Sequence, residues 1–209
     1  YVESQRNVTI GHKAHFVSQY ANDNIVIGYH AGYNCNLSDW NILIGAYAGY
    51  KLGDAGGASG ANNGDSSYNI AIGYESMGGG DATAANNVAA ANVAIGHHTL
   101  GGSTRASDGT ALSGDENTVV GTFSMEDATS ANKNVTLGHD SGKAATTISG
   151  SVLIGWEAGG TISTGNQNIA IGYDAMNGGT TTGDNNIAIG ANAGDALTSG
   201  YDNLLMIIW

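Results

Sequence analysis

Seven rings stand one residue after a recurring glycine: His12, Tyr29, Tyr74, His97, His139, Trp156 and Tyr173. On an exposed surface such rings hold the faces of sugars or of a partner protein; buried, they fill a core or a seam between chains. The spacing leaves both roles open, for these rings and for Tyr33, Tyr47 and Tyr50 nearby. Tyr29, Tyr74, His97, Trp156 and Tyr173 are the candidate receptor-binding residues.

Other chemistry finds little support. There is no Gly-x-Ser-x-Gly elbow, no His-Glu-x-x-His and no phosphate loop leading into a helix. Paired acids that could serve glycoside cleavage, Asp115-Glu116 and Glu126-Asp127, are adjacent residues in expected loops. The Gly-Gly-x-Gly-x-Asp nonapeptide of calcium β-rolls is missing. His97-His98 is an adjacent pair whose side chains should leave opposite faces of a strand, a poor chelate. Neither an enzyme nor a bound metal or cofactor is expected. Cys35 is the only cysteine, so no internal disulfide can form.

The rings are positioned by a repeat. The copies begin and end at Asn7 and Gly11, Asn24 and Gly28, Asn41 and Gly45, Asn69 and Gly73, and Asn92 and Gly96. They continue at Asn117 and Gly121, Asn134 and Gly138, Ser151 and Gly155, Asn168 and Gly172, and Asn186 and Gly190. Between the two lie a branched residue, a spacer and another branched residue. An eleventh copy from Asn203 lacks the glycine and opens the terminal coil, 203–209. Most successive copies start 17 residues apart, and insertions near 51–68, 78–91 and 101–116 account for the three wide intervals. After each glycine come two free positions, a small residue, and then often Gly or Met.

Seventeen residues with two short apolar bursts fit one coil of a β-solenoid with two strands and two turns, and are too few for a helix pair. Ile and Val suit strands, Gly and Asn suit tight turns, and no segment carries a 3.6-residue apolar period. The expected fold is all-β: a parallel β-solenoid or β-roll of about eleven coils, roughly 50 Å long, in one domain over residues 1–209. The repeated Asn either stacks as a ladder from coil to coil or simply forms turns.

Side chains alternate along a strand, so the two branched residues share one face and the spacer between them takes the other, which should be polar if it met water. It reads Thr9, Val26, Leu43, Ala71, Ala94, Val119, Thr136, Leu153, Ala170 and Ala188, eight of ten apolar. A strand apolar on both faces is buried on both. One thin coil cannot cover both, so the second face is expected to meet other copies of the chain.

The composition bounds partners. With 34 Gly, no Pro and a net charge of −12 from 18 acidic and 6 basic residues, the chain has no basic patch for nucleic acid or an anionic membrane. No apolar run is long enough to span a bilayer. The insertions carry Asp54, Asp65, Asp81, Asp108 and Asp115 and are expected to leave the coil as loops on one face. The chain begins at Tyr1 in mid-pattern and reads as a piece of something longer.

The motif N-[IV]-x-[IV]-G-x-x-[AS]-[GM] resembles the head repeats of trimeric autotransporter adhesins, and more closely the repeats of bacteriophage tail fibres. Asn168 to Met176 and Asn186 to Gly194 are the nearest examples, and the segment Gly200 to Ile207 is similar to the final coil of such fibres. That resemblance implies a left-handed parallel β-roll in a homotrimeric rod on a virion, a host cell-surface protein or polysaccharide as receptor, and other fibre proteins as partners. The alternatives are a bacterial surface adhesin or filament subunit located outside the cell, and a tailspike that degrades polysaccharide.

Overall fold

A computed structural model describes residues 5–18, 21–35, 38–50, 52–53, 66–78, 88–101 and 112–207. Eleven three-residue strands lie at the eleven motif copies: β1 (Val8–Ile10), β2 (Ile25–Ile27), β3 (Ile42–Ile44), β4 (Ile70–Ile72), β5 (Val93–Ile95), β6 (Thr118–Val120), β7 (Val135–Leu137), β8 (Val152–Ile154), β9 (Ile169–Ile171), β10 (Ile187–Ile189) and β11 (Leu204–Met206). They form one parallel sheet in sequence order, each paired in register with the next. The chain is therefore a β-solenoid, and among the described residues it has no helix. Most of the three insertions, with Asp54, Asp65, Asp81 and Asp108, lies outside the described residues.

Among the described residues each coil contributes one strand to the sheet and not two, and the opposite side keeps only isolated parallel bridges, such as Val17 with Asn34 and Ile162 with Thr181. The backbone explains why. The second and fourth residues after the motif glycine take positive φ in coil after coil, as at Glu75 (52°) and Met77 (50°), or Asp174 (52°) and Met176 (54°). A left-handed residue at every second position cannot run as a strand, and each costs an L-amino acid about 1–2 kcal/mol. Inter-coil hydrogen bonds hold the conformation, as where Gly32 N–H donates to Ala48 and Gly142 N–H to Ala158.

The repeated Asn is both ladder and turn-former. From Asn7 to Asn186 each Asn side-chain oxygen accepts the backbone N–H of the next rung at 2.8–3.1 Å and, except where that rung is Ser151, its amide as well, as from Asn24 to Asn7 and from Asn41 to Asn24. The remaining amide hydrogen goes to a carbonyl of the following turn, Asn24 to Ser38 and Asn117 to Ala131. A second ladder lies two residues earlier: Asn22, Asp39, Asp115, Asn132, Asn166 and Asp184 cap backbone N–H groups of the preceding coil. A narrow coil has many backbone groups and little bulk, so these bonds meet the requirement that buried polar groups be paired.

The strand's orientation differs from the expectation. The spacer points into the coil: Val26, Leu43, Ala71, Ala94, Val119, Leu153, Ala170 and Ala188 are all fully buried. The flanking branched residues point outward, with Ile10 at 58% and Leu137 at 49% exposure. The spacer column is the less bulky one, with Ala71, Ala94, Ala170 and Ala188 among its members, and that column goes inside. Thr136, the one polar spacer that is buried, is bonded to the Ser124 hydroxyl at 3.0 Å.

Volume is balanced within several of the coils. Where the spacer is Ala71, Ala94 or Ala170, the fourth residue after the glycine is Met77, Leu100 or Met176, each fully buried. Where the spacer is Leu43 or Leu153, that position is Gly49 or Gly159, and a Cβ there would sit 2.8 Å or 2.7 Å from the leucine methyl. Leu153→Ala should therefore cost about 3 kcal/mol by leaving a cavity. Adding Gly159→Met, at the backbone conformation Met176 already adopts, should recover part of the loss in a thermal or urea melt, the Ile162 methyl 2.9 Å from the new Cβ having to turn aside.

Candidate ligand-binding surface

The turn after each strand carries the rings. In the first position after the glycine stand His12, Tyr29, Tyr74, His97, His139, Trp156 and Tyr173; where that position is Ala46 or Thr122, the next residue supplies the ring, Tyr47 or Phe123. Nine rings thereby make one unbroken ladder from His12 to Tyr173, with neighbouring centroids 5.3–6.1 Å apart. The five candidate residues Tyr29, Tyr74, His97, Trp156 and Tyr173 all belong to it. Tyr29, Tyr74, Trp156 and Tyr173 keep 43–55% of their surface exposed. Phe123 and Tyr47 stand one residue outside the column that the period defines, so the period by itself does not place them in the ladder. The signal for them was the gap itself, since a ring moved by one residue still reaches its neighbours.

A second, shorter stack lies beside the first three coils. Phe16, Tyr33 and Tyr50 stand 5.3 Å apart, and His30 lies against Tyr29, Tyr33 and Tyr50. Burial, with Lys13 and His12 nearby, pushes His30 below the ordinary histidine value. Both of its ring nitrogens are buried without a hydrogen-bond partner. Trp40 stacks on Tyr68 in the other turn at 5.0 Å.

Acidic residues line the ladder. A hydrogen bond from Tyr74 to Glu75, and one from Tyr173 to Asp174, raise both phenols above their ordinary value. His139 Nδ1 lies 2.9 Å from Asp140 and His98 Nδ1 lies 3.2 Å from Glu75. His97 and His98 sit in the turn after β5 with rings 4.1 Å apart, so they do not leave opposite faces of a strand. Among the described residues no three metal-ligating side chains come together. The loop acids have structural partners: Asp115 accepts the Ala90 N–H, and Glu126 pairs with Lys143.

What the surface offers is a row of rings in contact, mostly edge to face and largely half-exposed, edged by carboxylates. Such a row suits a polyhydroxylated or apolar ligand and repels an anionic one. No family model, curated protein or solved structure matches the chain.

Proposed function

We propose that the chain is a shaft segment of a phage tail fibre, on the virion, that assembles as a homotrimer and meets the host cell surface through its ring ladder. One observation carries the reading. Of the 22 outward strand positions, two on each of eleven strands, only Thr118 is polar. Parallel sheets are covered on both faces, and an apolar stripe running the length of a rod calls for a partner of the same length and period. A second and third copy of the chain satisfy both conditions. The tenfold motif, similar to that of tail fibres, supports the same reading.

Three copies would present three ring ladders, and weak contacts at each would add through effective concentration. The test is solution mass by light scattering after size exclusion. The trimer is expected near 63 kDa, three times 21.1 kDa. Ile169→Glu with Ile187→Glu should shift the mass toward 21.1 kDa, because three carboxylates per layer would be forced into one seam. A wild-type chain that runs as a monomer sinks the trimer.

A further inference from the structure

The fifth position after the motif glycine forms its own column along the rod: Phe16, Tyr33, Tyr50, Gly78, Gly101, Glu126, Lys143, Gly160, Asn177 and Asp195. Gly160 leaves a gap between Lys143 and Asn177. The gap is a cavity of about 310 Å³ lined by Asp140, Lys143, Glu157, Gly160, Thr161 and Asn177. A Cβ on Gly160 would stand 2.6 Å from Asn177 Oδ1, so a larger residue would fill the space and displace that side chain.

The cavity adjoins the most exposed part of the ring ladder, and its walls hold the rings in place. Trp156 Nε1 donates to Glu157 Oε1 at 2.8 Å, and Asn177 Nδ2 donates to Glu157 Oε2 at 3.0 Å. Asn177 Nδ2 also reaches Asp174 Oδ1 at 3.1 Å, and the Tyr173 phenol bonds to Asp174. One hydrogen-bonded chain thus runs from the indole to Asp174, beside the Tyr173 phenol. The Trp156 and Tyr173 rings meet edge to face, 6.1 Å apart at 66°, and are 55% and 54% exposed, so each offers its own apolar face. Lys143 is turned toward Asp140 at 3.1 Å and Glu126 at 3.5 Å.

The combination is an apolar platform beside a notch rich in hydrogen-bond acceptors. A sugar ring has the complementary chemistry: C–H groups on one face for the aromatic platform, and hydroxyl donors at its edge for carboxylate and amide oxygens. An anionic sugar would bring its charge against Asp140, Glu157 and Asp174 on a chain of net charge −12. We propose that the Gly160 notch and the Trp156–Tyr173 platform form a subsite for one neutral pyranose unit of a cell-surface polysaccharide. This rests on the reading that the ring ladder faces the receptor.

Saturation-transfer NMR on the intact chain tests it, with neutral tetrasaccharides of glucose, galactose, mannose and N-acetylglucosamine, and a sialic acid tetramer as the anionic probe. At least one neutral tetrasaccharide should receive saturation at its C–H protons, and the sialic acid tetramer should receive none. Trp156→Ala and Gly160→Gln should each reduce the transfer tenfold or more while the circular dichroism spectrum of the folded rod is kept. Trp40→Ala should leave it unchanged. Three results overturn the subsite: no transfer to any neutral probe, transfer to the anionic probe alone, or transfer that survives both Trp156→Ala and Gly160→Gln. If it survives those two but falls in Tyr29→Ala with Tyr74→Ala, the ladder remains a receptor surface and only the subsite fails.

Discussion

Gly172→Ala abolishes the folded rod, or lowers its stability by about 4 kcal/mol or more, an effect well above that of an ordinary surface substitution. Gly172 has φ of 136°, a conformation that is closed to residues with a Cβ. A Cβ there would also stand 2.5 Å from the carbonyl oxygen of Gly190 and 2.6 Å from its carbon. Backbone on both sides is held by the sheet, since Gly172 N–H donates to Ile154 and Gly190 N–H to Ile171. Neither chain can retreat without breaking pairs in β8 to β10. The control is Gly150→Asn. Gly150 has φ of 68°, a value Asn185 nearly shares in the same column, and a Cβ would meet only the Gln167 side chain at 3.5 Å. That change should alter stability by no more than about 0.5 kcal/mol. Urea melts monitored by circular dichroism at one protein concentration separate the two, and equal effects would defeat the argument from inter-coil contact.

Asn117→Ala should cost about 3 kcal/mol or more, from two or more buried groups left without partners at about 1–3 kcal/mol each. Asn117 is almost wholly buried, and its side-chain oxygen accepts both the backbone N–H and the amide of Asn134. Its own amide donates to Asn92 and to the Ala131 carbonyl. Alanine removes all four bonds and admits no water to replace them. The ladder already has one imperfect rung, and the opposite change there should help. At Ser151 the backbone N–H still donates to Asn134, and the hydroxyl oxygen accepts the Asn168 N–H at 3.1 Å, but the amide contacts of the other rungs are missing. Ser151→Asn restores them and should add about 1 kcal/mol. A melting temperature that falls in Ser151→Asn, or does not move in Asn117→Ala, would mean the ladder is a turn preference and no more. If the chain is oligomeric, both must be compared at equal concentration, because association contributes to apparent stability.

The sequence alone determined the period and the position of all eleven strands, and left the repeated Asn open between a ladder and a simple turn. The reason is local: Ile and Val flanking a spacer can only be strand, Gly ends it, and a fixed repeat forces equivalent residues to stack in register. It also placed Tyr29, Tyr74, His97, Trp156 and Tyr173 along one line, because that line follows directly from the period.

Only the tertiary structure decided which face of the strand is inside. Alternation is symmetric, and a strand apolar on both faces reads the same either way. The choice appears only in the closed coil, where Ala71, Ala94 and Ala170 are buried inside and the branched residues beside them stay partly exposed. The left-handed residues were equally hidden. Met77, Leu100, Met125 and Met176 have no local preference for positive φ, and they adopt it because the turn they close must bring their side chains inward against a small spacer. The same holds for the notch at Gly160. A glycine in a column of larger residues is legible in the sequence, but the cavity exists because Lys143 and Asn177, in the coils on either side, are held apart by their own partners.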